Sequence, residues 1–149
     1  MNPGGPSPAQ ESVWRTVVDY LKERQEQQGN PVHIDEEPPI IRARMVGEAR
    51  DFTTIWYTVG PRTLRYETYF MPDPEENHEA LYRFLMRWNR RLYLSSFSLD
   101  PDREVYLGGR LPLEAVSWDE VDRITGQMYE AVESTFRAAI RIGFPRLVR

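Results

Sequence analysis

Apolar residues early in the chain recur with helical spacing. Trp14, Val17, Val18 and Leu21 fall at i, i+3, i+4 and i+7, positions that share one face of an α-helix. The stripe returns in Leu81, Phe84, Leu85 and Trp88, and again in Val121, Ile124, Met128, Val132, Phe136 and Ile140. Ahead of each stripe stands a run suited to a helix start: Ser7-Pro8-Ala9-Gln10, Asp73-Pro74-Glu75-Glu76 and Ser117-Trp118-Asp119-Glu120. In each, a capping oxygen precedes a Glu or Gln by three residues, which supplies acceptors for the unpaired N–H groups of a first turn. Helices are therefore expected after Ser7, Asp73 and Ser117. The first should run to about Gln28 and stop at Gly29-Asn30, and Gly143 and Pro145 should end the third.

Between the first two stripes the period changes to two. Ile40 to Val46, Phe52 to Val59 and Thr63 to Phe70 alternate like half-buried strands, and after the second helix Tyr93 to Leu99 and Glu104 to Arg110 do the same. Asp100-Pro101-Asp102-Arg103 joins the last two with residues that suit a tight hairpin. Short connections make neighbouring strands antiparallel, since a parallel pair needs a crossover of about a dozen residues. The expected order is α-β-β-β-α-β-β-α. It describes an α+β domain over residues 8–149, with a five-stranded, largely antiparallel sheet, three helices and a disordered leader at residues 1–7.

Within that order, one stretch resembles the YbjN family of bacterial proteins. The residues that carry the likeness are Trp88-Asn89, the strand Tyr93 to Leu99, the turn at Asp100 to Asp102, the strand Val105 to Gly109, and Leu111-Pro112-Leu113. The sequence departs from the family pattern at Ala115-Val116, where a glycine pair often stands before the last helix. The resemblance implies a fold similar to type III secretion chaperones and a non-enzymatic role. That role is chaperone-like or adaptor, or else sensory and regulatory, often as a homodimer.

Composition narrows the chemistry. With 149 residues, 40% of them hydrophobic, the chain supports one core rather than two. A formal net charge of −4 and a pI near 5.3 disfavour nucleic acid and anionic lipid as partners. Cysteine is absent, which removes disulfides, thiolate metal sites and a thiol nucleophile. Lys22 is the only lysine, so lysine chemistry is nearly excluded too. The N-terminal run has neither the positive charge nor the apolar stretch of a secretory signal, and no run of apolar residues is long enough for a membrane helix. A cytoplasmic location is expected.

Candidate chemistry thins out on inspection. His33 and His78 lie in no ligand spacing, and the run Asp35-Glu36-Glu37 before Pro38-Pro39 reads as a solvated linker. Asp100, Asp102 and Glu104 have the opening spacing of a calcium loop, but Val105 and Leu111 replace the glycine and the closing glutamate it needs. Gly108-Gly109 leads into Arg110-Leu111-Pro112 rather than a helix, so it forms no phosphate cradle and marks a bulge or close packing. No catalytic residue, metal site or cofactor is expected.

Strand parity is more informative. Ile41, Ala43, Met45, Ile55, Tyr57, Val59, Leu64, Tyr66, Phe70, Val105 and Leu107 belong to one sheet face, the expected core. Arg42, Arg44, Trp56, Arg65, Tyr69, Tyr106 and Arg110 belong largely to the other, a mixture of arginine and aromatics of the kind that binds a partner segment or a second subunit. Arg87 and Arg91, four residues apart at the end of the second helix, form a second cluster suited to the helix dipole or to an acidic partner. The expected function is a non-catalytic protein-interaction domain. A small-molecule-sensing regulatory domain is the alternative, and an enzyme is the third class.

Overall fold

The computed structural model describes residues 4–27 and 32–147. Ser7 starts α1 (Pro8–Gln27) as its sequence requires: its Oγ accepts the Gln10 N–H, and the Gln10 side chain accepts the Ser7 N–H in return. Gly29-Asn30 lies outside the described residues, as do the first three residues of the expected leader. Then come β1 (Val32–Glu37), β2 (Ile40–Val46), β3 (Phe52–Val59), β4 (Thr63–Met71), α2 (His78–Asn89), β5 (Ser96–Leu99), β6 (Val105–Pro112), a 3₁₀ turn at Leu113–Ala115, and α3 (Trp118–Gly143). The sheet has six strands in the order β1-β2-β3-β4-β6-β5, every neighbouring pair antiparallel. The α+β class is as expected, with one strand more.

That strand contains Asp35-Glu36-Glu37, expected as a solvated linker. Val32–Glu37 pairs along its whole length with β2, from Val32 opposite Met45 to Glu37 opposite Ile40, and turns through the cis peptide Pro38-Pro39. At the other edge the expected Tyr93–Leu99 shortens to Ser96–Leu99, because Leu94 takes a left-handed conformation (φ 55°) that no strand continues.

The start of α2 also differs from expectation. Asp73 does not cap it; the N-cap is Asn77, in the left-handed region. The amides between them serve a different helix. Glu75 and Glu76 donate to the Gly143 carbonyl, and Asn77 Nδ2 donates to the Ile142 carbonyl, so the segment closes the end of α3. Asp73 instead pairs with Arg103, 3.1 Å away.

All three helices pack on one sheet face. The eleven residues assigned to the core face are all buried. Phe70 meets Phe97 and Phe136 edge to face at 4.9 and 5.7 Å, tying β4 to β5 and α3. Tyr57 crosses the core to share a 2.6 Å hydrogen bond with Thr125 of α3, and Tyr20 of α1 donates to Asp122 of α3.

These phenols make the fold sensitive to alkali. Desolvation by burial pushes the Tyr20 and Tyr66 hydroxyls up to about 12 and raises Tyr57 further still. Above about pH 10 the unfolded chain's tyrosines ionise while the buried ones stay protonated. The unfolded state then binds fewer protons than the native one, so stability falls as pH rises through that window. Urea midpoints should be insensitive to these groups below about pH 10 and drop between about 10 and 12. Tyr57→Phe should cost about 1 kcal/mol at neutral pH, through the lost Thr125 bond, and should flatten the alkaline fall. An unchanged alkaline slope in that variant would show that Tyr57 does not carry the effect.

Candidate functional site

Because the helices occupy one side, the other side of the sheet is open to solvent, and its residues follow from register. Arg42 of β2 stands opposite Trp56 of β3, which stands opposite Glu67 of β4. Arg65 of β4 faces Arg110 of β6, and Tyr69 faces Tyr106. The structure thus brings all seven residues expected at the partner surface onto one face, across β2, β3, β4 and β6.

They are not equally available. Arg42 is committed to the edge strand, 2.6 Å from Asp35 and 3.4 Å from Glu37, and Arg65 lies 3.0 Å from Glu67. Arg44 stacks over the Phe52 ring at 4.5 Å, a contact worth about 0.5–1 kcal/mol where exposed. Phe52 is itself 48% exposed and sits beside half-exposed Val46, so the apolar part of this corner was missed in the sequence, where both residues stand at strand ends. Tyr69 and Tyr106 meet edge to face at 5.4 Å. Partial desolvation first, and then the Glu104 and Asp100 carboxylates, hold both phenols above their ordinary value. Among the described residues Arg110 reaches no carboxylate, so of the four outward arginines it and Arg44 keep their charge free of an acidic partner.

Arg87 and Arg91 belong to the helical layer, on the far side of the sheet, and form a separate surface. They line a groove of about 760 Å³ along α2 together with Asn77, Ala80, Phe84 and Trp88. The Arg91 guanidinium sits 5.0 Å from the Trp88 ring centroid.

Beside them a sequence feature acquires a structural reason. The Asn89 carboxamide takes both backbone groups of Phe97, accepting its N–H at 2.7 Å and donating to its carbonyl at 3.2 Å. It pairs with the outer edge of β5 as another strand would, and so blunts an open sheet edge. Asn89 therefore has a structural role. Next to it Met86 and Leu99 are 69% and 45% exposed, on the rim of an apolar groove that Tyr82, Leu85 and Phe97 also line.

Of the histidines, His33 lies exposed on β1 in register with Arg44, at the edge of the open face, and His78 lies 3.5 Å from Asp73. The Asp100 carboxylate is used in its own turn, accepting the N–H groups of Asp102 and Glu104 at 2.9 Å each. Gly108 and Gly109 are places of close packing: a Cβ on Gly109 would stand 2.3 Å from the Leu94 carbonyl oxygen.

Comparison with known proteins places this architecture. The model of the YbjN family, described as "Putative bacterial sensory transduction regulator", matches residues 18–141. An uncharacterized protein of Mycobacterium leprae is 43% identical over 98 residues, 66% of this chain and 53% of its own length. One of Mycobacterium tuberculosis is 41% identical over 107 residues, 72% of this chain and 58% of its own length. The chain spans little more than half the length of these relatives. Among solved structures, a chain of the HopA1-SchA chaperone-effector complex superposes with a TM-score of 0.59 at 14% identity, covering 89% of this chain and 99% of that one. At that identity the likeness is one of fold.

Proposed function

The chain belongs to the YbjN family, and from that premise we propose that it is a non-catalytic, chaperone-like or adaptor domain that holds a segment of a partner polypeptide against the open face of its sheet. The observation that carries this reading is the face itself: a sheet with helices on one side only, whose uncovered side sets Trp56, Tyr69, Tyr106 and the Arg44–Phe52 pair among arginines. Aromatics and arginine are the residues that dominate polypeptide interfaces, because each buries a large area and offers a directed polar group. The fold shared with a chain of a chaperone-effector complex supports a polypeptide as the partner. No helix among the described residues is long and apolar enough to cross a membrane, and the reading places the domain in the cytoplasm as a homodimer.

Affinity capture from the organism that carries the protein tests the surface. The native domain is compared with a variant carrying Arg44→Glu, Trp56→Ser and Tyr106→Ser, all partly or fully exposed and therefore tolerable to the fold. A polypeptide recovered with the native domain should be depleted about tenfold or more with the variant, the scale of losing one or two interface hot spots. Equal recovery, or recovery of the domain alone, would overturn the reading. Light scattering on the purified domain should give twice the 17.6 kDa chain mass.

A further inference from the structure

The α2 groove carries a recognition pattern of its own. From His78 to Arg91 the chain holds Arg83, Arg87, Arg90 and Arg91 against the single acid Glu79, in a protein whose net charge is −4. Glu79 is spent on Arg83, at 2.8 Å. Among the described residues neither Arg87 nor Arg91 reaches a carboxylate. The helix dipole accounts for cations near the last turn. The pair with Glu79 accounts for Arg83 in mid-helix, but neither accounts for the half-buried aromatics Phe84 and Trp88 interleaved with the arginines along one open groove.

Spacing supplies the specificity. Arg83, Arg87 and Arg91 repeat every four residues; the first two lie within α2, where that step is about 6 Å, and Arg91 lies in the turn just past its end, on the same groove. Side chains on one face of an extended chain repeat every two residues, about 6.6 Å. Carboxylates at alternate positions of an extended segment therefore nearly match that step: two of them meet Arg87 and Arg91, which hold no carboxylate among the described residues, and a third shares Arg83 with Glu79; about five such residues span the stripe from Arg83 to Arg91. A second copy of this chain docking through its own α2 is a poor occupant, since a two-fold contact centred on the stripe would set these arginines against one another.

We propose that the α2 stripe Arg83–Phe84–Arg87–Trp88–Arg91 is a docking strip for an acidic polypeptide segment in extended form, with a carboxylate at every second residue. The inference rests on the polypeptide-binding reading but uses a different surface, on the opposite side of the sheet. It adds the chemistry of one stretch of the partner.

The test is a residue-resolved NMR titration with a synthetic peptide of about eight residues in which Glu alternates with Ser and one Ser is replaced by Trp, long enough to overhang the strip. Its counterpart has Lys in place of Glu. The expected result is saturable shift changes confined to amides of Ala80 to Leu92 with the Glu peptide and none with the Lys peptide. Binding should weaken at least about tenfold in the Arg87→Glu, Arg91→Glu variant, and several-fold between low and physiological salt, as screening requires. Three results would each overturn the strip: no response to the Glu peptide, equal response to both peptides, or shifts confined to sheet amides such as those of Trp56 and Tyr106. The last would leave the sheet-face reading standing, and capture by that face is measured separately. Loss of dimer mass in the arginine variant, with native α2 amides unmoved by peptide, would assign the strip to the second copy instead. Binding of phosphatidylglycerol vesicles without binding of the peptide would assign it to a membrane.

Discussion

Arg50→Met should lower stability by about 3 kcal/mol, the scale of a charged side chain's lost hydrogen bonds plus the groups left unpaired. Arg50 lies in the short turn between β2 and β3, where an arginine would ordinarily point into water. Here its guanidinium lies under the end of the sheet. Nη1 donates to the Phe70 carbonyl at 2.9 Å, the other nitrogens approach Thr53 and Thr68, and the plane lies 5.2 Å from the Phe136 centroid. Phe70 is where β4 bulges: the register with β6 runs from Tyr69 straight to Met71. Arg50 thus holds the backbone at the one irregularity in the β4–β6 ladder.

Desolvation pulls the Arg50 pKa down from its ordinary value, and the Glu133 carboxylate pulls it back up. The ordinary value is so high that the group stays charged at neutral pH. The same carboxylate accepts the N–H groups of Glu48 and Ala49, and the turn closes on it because Gly47 has no Cβ to collide with it. Methionine keeps the contact with Phe136 but strands the Phe70 carbonyl. Arg44→Met, also an arginine over a phenylalanine but on the exposed face, should cost less than about 1 kcal/mol. Guanidinium chloride unfolding of both variants distinguishes the cases; equal midpoints would deny Arg50 its anchoring role.

Neither role was readable from the sequence, and the reason is general. Periodicity reports which residues point inward, so the three helical stripes, the core parity and the Ser7 and Ser117 caps were legible. It is blind where charge is used at an edge. β1 buries Val32 and half-buries Ile34, and its remaining positions are His33 and three carboxylates, the composition by which an edge strand avoids pairing with another chain. The capping run at Asp73 misled because its amides were taken by α3, a contact 65 and more residues away in sequence. The candidate surface was legible as a face but not as a charge state. Parity brought the arginines to one side, whereas the ion pairs that occupy Arg42 and Arg65 depend on register with β1 and on which neighbour is acidic.

Gly108 and Gly109, expected from the sequence to mark a bulge or close packing, are places of close packing, and they carry the second large effect. On Gly108 a Cβ would stand 2.4 Å from the Tyr66 carbonyl oxygen and 2.8 Å from Glu67 Cβ, so alanine must push β6 away from the strand it pairs with. On Gly109 it would meet the Leu94 carbonyl, the same oxygen that accepts the Tyr66 hydroxyl. Leu94 begins the approach to β5, so the clash propagates to the sheet edge where Asn89 holds Phe97. Backbone atoms cannot rotate aside as a side chain can, and each substitution should cost about 2–3 kcal/mol, the upper range of overpacking. Gly126 is the internal control. It lies within α3 with nothing within 4 Å of an added Cβ, so Gly126→Ala should stabilise by about 0.8 kcal/mol through helix propensity alone. At about 3 °C per kcal/mol for a domain of this size, the midpoints should move in opposite directions, down by about 6–9 °C for either strand glycine and up by about 2 °C for the helical one. If Gly108→Ala melted with the native protein, β4 and β6 would have to be separable at their tightest point.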